Sequence, residues 1–194
     1  DVYKRQPWNS DAGFICGKLA TALAAGCTAV IKPSEMSGLQ TQIITEALHA
    51  ADLPAGVFNI VNGTGAVVGE ALTAHPDVAK ISFTGSSAVG QHLVSAGAAT
   101  MKRVTLELGG KSPTVVLDDA DFAAVMPLIL QGGFMNSGQA CVAGTRILVP
   151  RHRLAEFEQA MLDAVSRIKS GDPREADTAV SYTHLRAHET EADL

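Results

Sequence analysis

From residue 28 onward, short apolar runs alternate with longer amphipathic stripes, and this alternation limits the architecture more than any other feature of the chain. Residues 28–31, 57–61, 78–83, 103–107 and 114–117 read as strands. Residues 37–51, 65–74 and 86–96 read as helices: Leu39, Ile43, Ile44, Ala47 and Leu48 line one stripe, and Val89, Leu93 and Val94 another. A helix between two strands prevents a tight hairpin, so the chain must cross over and lay its strands parallel. The expected fold is α/β, a Rossmann-like parallel sheet followed by the first part of a second α/β domain. A helix over residues 12–25, stopped by Gly26, precedes the sheet. Gly109-Gly110 marks a junction, and residues 121–133, 146–149 and 154–168 read as helix, strand and helix beyond it.

The two ends do not share this patterning. Residues 1–6 and 181–194 carry no hydrophobic period and read as a non-native leader and tail, outside the fold; a pair of disordered natural tails is the alternative. That leaves 7–108 and 109–180 as the two domains. With 194 residues and 46% apolar content, the chain can bury one ordinary core or parts of two. The net charge of −5, with no basic run, argues against nucleic acid as a partner and leaves small molecules open. Residues 19–31 are apolar but too short to span a bilayer, and no signal peptide precedes them, so no membrane partner is expected. Three cysteines (Cys16, Cys27, Cys141) cannot all pair and lack zinc-site spacing, which fits a reducing, cytoplasmic setting and no metal.

Cys141, in Gly138-Gln139-Ala140-Cys141, follows Glu107 by 34 positions, with Asn9 far upstream in Pro7-Trp8-Asn9. A thiol, a carboxylate and an amide supply the nucleophile, base and oxyanion donor that chemistry through a thioester needs. These strings, together with Lys32-Pro33-Ser34-Glu35, Phe83-Thr84-Gly85-Ser86 and Glu107-Leu108-Gly109-Gly110-Lys111-Ser112-Pro113, resemble the aldehyde dehydrogenase superfamily in order and in gaps. The resemblance runs from Pro7 to about Val180. It implies a partial NAD-binding domain over 7–108 and a partial catalytic domain over 109–180, an internal piece of a longer enzyme that turns over nothing by itself.

The resemblance also implies roles. Cys141 would attack an aldehyde carbon, with the Asn9 amide and the Cys141 backbone N–H stabilising the negative oxygen, and Glu107 would activate the water that hydrolyses the thioester from a partly desolvated site. A carboxylate at 107 points to the acid-forming branch rather than the one that transfers the acyl group to coenzyme A. Cofactor contacts fall on Trp8, Lys32, Glu35, Gly65, Gly69, Phe83, Gly85, Ser86, Val89 and Leu108. Lys32 and Glu35 would hold the adenine ribose, and the carboxylate favours NAD over NADP by repelling an extra phosphate. The aldehyde is then the small-molecule partner, and the full-length protein a homo-oligomer. A thiol-dependent esterase and a non-catalytic dinucleotide-binding module are the competing readings. The proline that usually follows soon after Asn9 is replaced here by Ser10-Asp11-Ala12, which leaves the substrate subgroup open.

Other residues read as structural. Cys16 and Cys27 are expected in the core. His49, His75, His92 and His152 are expected at the surface or as caps, and Arg151, Arg153 and Arg167 with Glu156 and Glu158 as the solvated face of the last helix. Phe14, Phe134 and Met135 are candidate lining for the substrate tunnel.

Overall fold

The computed structural model describes residues 2–5, 8–172, 174, 175, 178, 180 and 181. Asp1, Gln6, Pro7 and the tail from residue 182 lie outside the described residues. The chain divides into two compact units, Asp1–Leu108 and Gly109–Leu194.

The first unit is a five-stranded parallel sheet built from β1 (Val2–Arg5), β2 (Ala29–Lys32), β3 (Phe58–Ile60), β4 (Lys80–Gly85) and β5 (Arg103–Leu108) in the order β3-β2-β1-β4-β5. Helices α1 (Asp11–Ala24), α2 (Gly38–Ala50), α3 (Glu70–Ala74) and α4 (Ser87–Ala98) form the crossovers. The parallel α/β architecture expected from the alternating runs is thus present. The expectation that residues 1–6 stand outside the fold fails for Val2–Arg5, which sits at the centre of the sheet, paired with β2 on one side and β4 on the other. Four residues are too few to establish a period-2 pattern, and backbone pairing on both edges does not depend on one.

Side chains alternate across a strand, so the pairing register assigns each residue to a face. Ala29, Ile31, Ser82, Thr84 and Glu107 share one face; Ile81, Phe83, Val104 and Leu106 share the other. On the first, Ile15 and Leu19 of α1 pack with Ala29 and Ile31, and Ile44 and Leu48 of α2 join them. On the second, Leu93 of α4 closes over Val78, Ile81 and Phe83, with Leu72 of α3 against them. Helices on both faces leave the strand ends as the accessible edge for chemistry.

A buried lysine locks the opposite end. Lys102 Nζ donates to the carbonyls of His75 and Val78, both at 2.6 Å, tying the turn before β4 to the start of β5. Lys102→Met should cost about 1–3 kcal/mol by leaving the buried Val78 carbonyl without this donor, while the His75 carbonyl keeps the Val78 N–H. A urea midpoint unchanged from the parent would contradict that.

The second unit pairs β6 (Pro113–Val115) in parallel with β7 (Arg146–Leu148) and packs α5 (Phe122–Phe134) and α6 (Leu154–Val165) around Val116, Phe122, Met126, Ile129 and Phe157. Two further short strands, β8 (Ser170–Gly171) and β9 (Val180–Ser181), pair with each other. Arg153 departs from the solvated role expected of it. Its guanidinium lies 3.9 Å from the Phe122 ring, donates to the carbonyls of Asp118 and Ala120 at 2.8 Å each, and pairs with Glu156. A planar cation with five donors can stack and hydrogen-bond at once, which a reading of charge pattern alone does not anticipate.

Candidate active site

The last residue of β2, Lys32, is wholly buried, and its length lets Nζ reach three oxygens at the C-terminal edge of the sheet. It donates to the carbonyls of Pro33 and Gly63, the latter at 2.9 Å, and lies 3.3 Å from Glu35 Oε1. The Gly65 N–H donates to the same carboxylate oxygen at 2.8 Å. Lys32, Glu35 and Gly65, three of the residues assigned to the cofactor, are therefore brought together. Partial burial pushes the Glu35 carboxyl upward, but backbone N–H donors and the Lys32 ammonium outweigh it and hold the group below the usual glutamate value. The carboxylate stays charged and 44% exposed, which suits a donor such as a ribose hydroxyl.

The expected helix over 65–74 opens as a π-helical turn, Gly65–Gly69, before α3. Gly63 just before it has φ of +152°, and a Cβ there would meet Val68 Cγ2 at 2.3 Å, so only glycine lets the backbone pass. Gly69 is buried and accepts from the Thr73 hydroxyl at 2.7 Å.

At the end of β4, a Cβ on Gly85 would come within 2.5 Å of the Phe83 ring. Ser86 caps α4, its hydroxyl accepting from the Val89 N–H at 3.4 Å, and the helix starts directly after β4, where a helix N-terminus favours an anion. Phe83, Val89 and Leu108 belong to the core cluster on this face, with Phe83 only 2% exposed. Phe83 lies against the Gly85 turn, and Leu108 against Gly90 in the first turn of α4.

Glu107 lies on β5, an edge strand, and is exposed, unlike the partly desolvated carboxylate expected there. Its in-register partner on β4 is Thr84. Thr84 is buried and accepts a hydrogen bond at 2.8 Å from Nζ of Lys18 on α1. Burial pushes the Lys18 ammonium below the usual lysine value, and the charge of Glu107 raises it again. Neither Lys18 nor Thr84 was among the expected site residues. A signal existed: Lys18 falls on the same helical stripe as Ile15, Leu19 and Ala22, where a charge has no reason to sit unless it has a partner. Asn9 is half-buried in a 3-10 turn, Trp8–Ser10, directly before α1.

In the second unit, Cys141 is half-buried and follows a left-handed turn. Asn136, Ser137 and Gly138 all have positive φ (53°, 57° and 73°), and the Asn136 side chain donates to the Gln139 carbonyl at 3.1 Å. Two of these are non-glycine residues in a region costly to L-amino acids, so the approach to the thiol carries backbone strain. Cys16 and Cys27 are exposed, which corrects their expected place in the core. Cys16 falls on the solvent side of α1, whose buried stripe runs through Ile15 and Leu19, and Cys27 lies in the connection before β2, which starts at Ala29. His75, His92 and His152 lie at the surface beside Asp77, Glu70 and Asp118. Phe14 is half-buried, whereas Phe134 and Met135 are exposed. A groove of about 410 Å³ in this unit runs along Val115, Leu117, Leu128 and Ile129, and no expected site residue lines it. Among the described residues no helix is long and apolar enough to cross a membrane, and no cluster of metal-ligating side chains forms.

An open parallel sheet with helices on both faces and polar groups gathered at its C-terminal edge belongs to the ligand-binding α/β class. The chain is a member of the aldehyde dehydrogenase family, whose profile matches residues 5–191 and so extends past Val180, where the resemblance read from motifs ends. Aldehyde dehydrogenase C of Pseudomonas syringae, solved as a cysteine-to-alanine variant with NAD+ and octanal, is 47% identical, with a TM-score of 0.89 over 93% of this chain and 37% of that one. Betaine aldehyde dehydrogenase of Staphylococcus aureus, solved with NAD+, is 39% identical, with a TM-score of 0.89 over 93% of this chain and 36% of that one. An NADP-dependent enzyme of E. coli is 38% identical, with a TM-score of 0.88 over 92% and 37%. The chain therefore spans little more than a third of the length of these relatives.

Proposed function

We propose that the full-length protein oxidises an aldehyde to a carboxylic acid with NAD, residues 7–108 contributing to cofactor binding and residues 109–180 to catalysis. The observation that carries the cofactor half is the Glu35 carboxylate, held charged at the sheet edge by Lys32 and Gly65. That arrangement fits a ribose carrying free hydroxyls and disfavours one carrying a phosphate. Gly85, Ser86 and the start of α4 fit the pyrophosphate, and Gly69 and Trp8 line the same cofactor. NAD supplies the two-electron oxidant when bound.

The protein's own residues do the rest. The Cys141 thiolate adds to the aldehyde carbon, and the Asn9 amide and the Cys141 N–H donate to the oxygen as it becomes negative. Once the carbon is at the thioester level, Glu107 takes a proton from water, and the resulting hydroxide displaces the thiolate. The octanal bound to the Pseudomonas relative supports an aldehyde as substrate here. Free cysteines support a reducing cytoplasm, and family membership a homo-oligomer.

NADH absorbance with a panel of aliphatic and aromatic aldehydes tests the reading in the full-length protein. NADH formation that requires both aldehyde and Cys141 is the expected result; product formed without NAD would favour the esterase reading instead. Glu35→Gln should narrow the preference for NAD over NADP about tenfold or more, the roughly 1.5–3 kcal/mol of a hydrogen bond to a charged group. An unchanged ratio of kcat/KM values would remove Glu35 from cofactor selection.

A further inference from the structure

We propose that Thr114 is a positioning residue for Cys141: its hydroxyl holds the Gly144 carbonyl and so fixes the loop that presents the thiol. The proposal rests on the reading of Cys141 as the nucleophile.

The loop is shaped from within. At its entry the Gln139 N–H donates to the Asn136 carbonyl and the Asn136 side chain to the Gln139 carbonyl, both at 3.1 Å. Cys141 and Val142 are then the two central residues of a turn, closed by the Ala143 N–H on the Ala140 carbonyl at 3.0 Å. These bonds join near neighbours, so they set the form of the loop and leave its place on the second unit open. Place is set where the chain bonds beyond the loop, and Gly144 does so twice. Its N–H donates to the Gly132 carbonyl in α5 at 3.1 Å. Its carbonyl accepts from the Thr114 hydroxyl on β6, also at 3.1 Å and 30 positions away in the chain.

The contact is close. A Cβ on Gly144 would stand 2.3 Å from Thr114 Oγ1, so the loop backbone lies directly on this side chain and no larger residue fits between them. Thr114 alternates with Val115 and so shares the strand face of Val116, which is buried in the core with Phe122 and Met126. A valine would suit that inward face equally well as packing. What the hydroxyl adds is the bond to Gly144. Gly144 follows Cys141 by three residues, so a shift of its peptide is passed to both the thiol and the Cys141 N–H. Those two groups must meet one carbonyl of the substrate, and a misplacement of about 1 Å costs on the order of 10²-fold in rate.

Two substitutions separate the bond from the packing. Thr114→Val keeps the shape of the side chain and removes the donor, whereas Thr114→Ser keeps the donor and drops a methyl. The full-length protein, free of cofactor, is treated with iodoacetamide, and the modified peptides are followed in time by mass spectrometry. Exposed Cys27, in the first unit, is the internal standard. Relative to Cys27, the half-buried Cys141 should react about fivefold faster in Thr114→Val, the population shift that one lost hydrogen bond allows, and at the parent rate in Thr114→Ser. In the same protein, kcat for aldehyde oxidation should fall about tenfold or more in Thr114→Val with the KM for NAD unchanged, and Thr114→Ser should keep the parent kcat. A Cys141-to-Cys27 ratio or a kcat unmoved by Thr114→Val, or a serine variant that behaves as the valine does, overturns the proposal. The nucleophile reading fails separately: NADH formation that survives Cys141→Ser sinks that reading and leaves the alkylation ratio standing.

Discussion

Full-length protein carrying Glu107→Gln is expected to release one burst of NADH and then turn over about 10²–10⁴-fold more slowly than the parent, the usual contribution of a positioned general base. The split follows from where the proposed roles fall in the sequence of steps. Oxidation needs the Cys141 thiolate, the oxyanion donors and the cofactor, and none of these is altered. Hydrolysis of the thioester needs a proton acceptor at 107, and an amide cannot serve. The acylated enzyme should therefore accumulate and be visible as a mass increase on the Cys141 peptide. Cys141→Ser should remove the burst as well as the turnover. Burst and steady state falling together in Glu107→Gln would place Glu107 in the first half of the reaction, and an unchanged steady state would exclude it as the base.

Much of the sheet was legible in the sequence because two crossover helices carry apolar stripes: Ile44 and Leu48 on α2 and Leu93 on α4 reach the cores that the 3.6-residue period assigns them, whereas Leu39, Ile43 and Val94, read into the same stripes, stay exposed. The strand Val2–Arg5 was not legible, since a four-residue strand held by backbone pairing from both sides leaves almost no trace in side-chain pattern. The cradle was half legible. Lys32 and Glu35 stand three residues apart and could be paired on paper, but that the Gly65 N–H closes the arrangement from 30 positions away depends on how β3 and the π turn fold back. Lys18 and Thr84 are separated by 66 positions, and only the fold shows that a lysine in an apolar stripe has its partner on a strand beneath it. The exposures of Cys16 and Cys27 were misjudged for a related reason: an apolar neighbourhood in sequence fixes neither which side of α1 Cys16 faces nor that β2 begins only after Cys27.

Lys32→Met tests the cradle at its centre and in this chain. Methionine matches the stem of the buried lysine in volume, so packing is largely kept and the loss is polar. The carbonyls of Pro33 and Gly63 lose their donor and Glu35 loses its cation. One buried acceptor at Pro33 left unpaired, a partly buried one at Gly63 and a broken ion pair should together cost the first unit about 3 kcal/mol, with the Glu35 share discounted because that carboxylate is partly exposed. Far-UV circular dichroism in urea reads the loss. The pH dependence separates the ion pair from the carbonyls. Glu35 titrates below the usual glutamate value in the folded state, so its contribution is complete above the unfolded value and is lost as pH falls through the lowered folded one. In Lys32→Met the carboxylate keeps its backbone donors but not its cation, so its folded value moves back toward the unfolded one. The stability gap between parent and variant should then be widest at neutral pH and narrow on acidification, leaving the pH-independent cost of the two carbonyls. A gap that holds constant from neutral pH down through the glutamate range would mean that Lys32 acts on the loop backbone alone and leaves the charge of Glu35 to Gly65 and its neighbours.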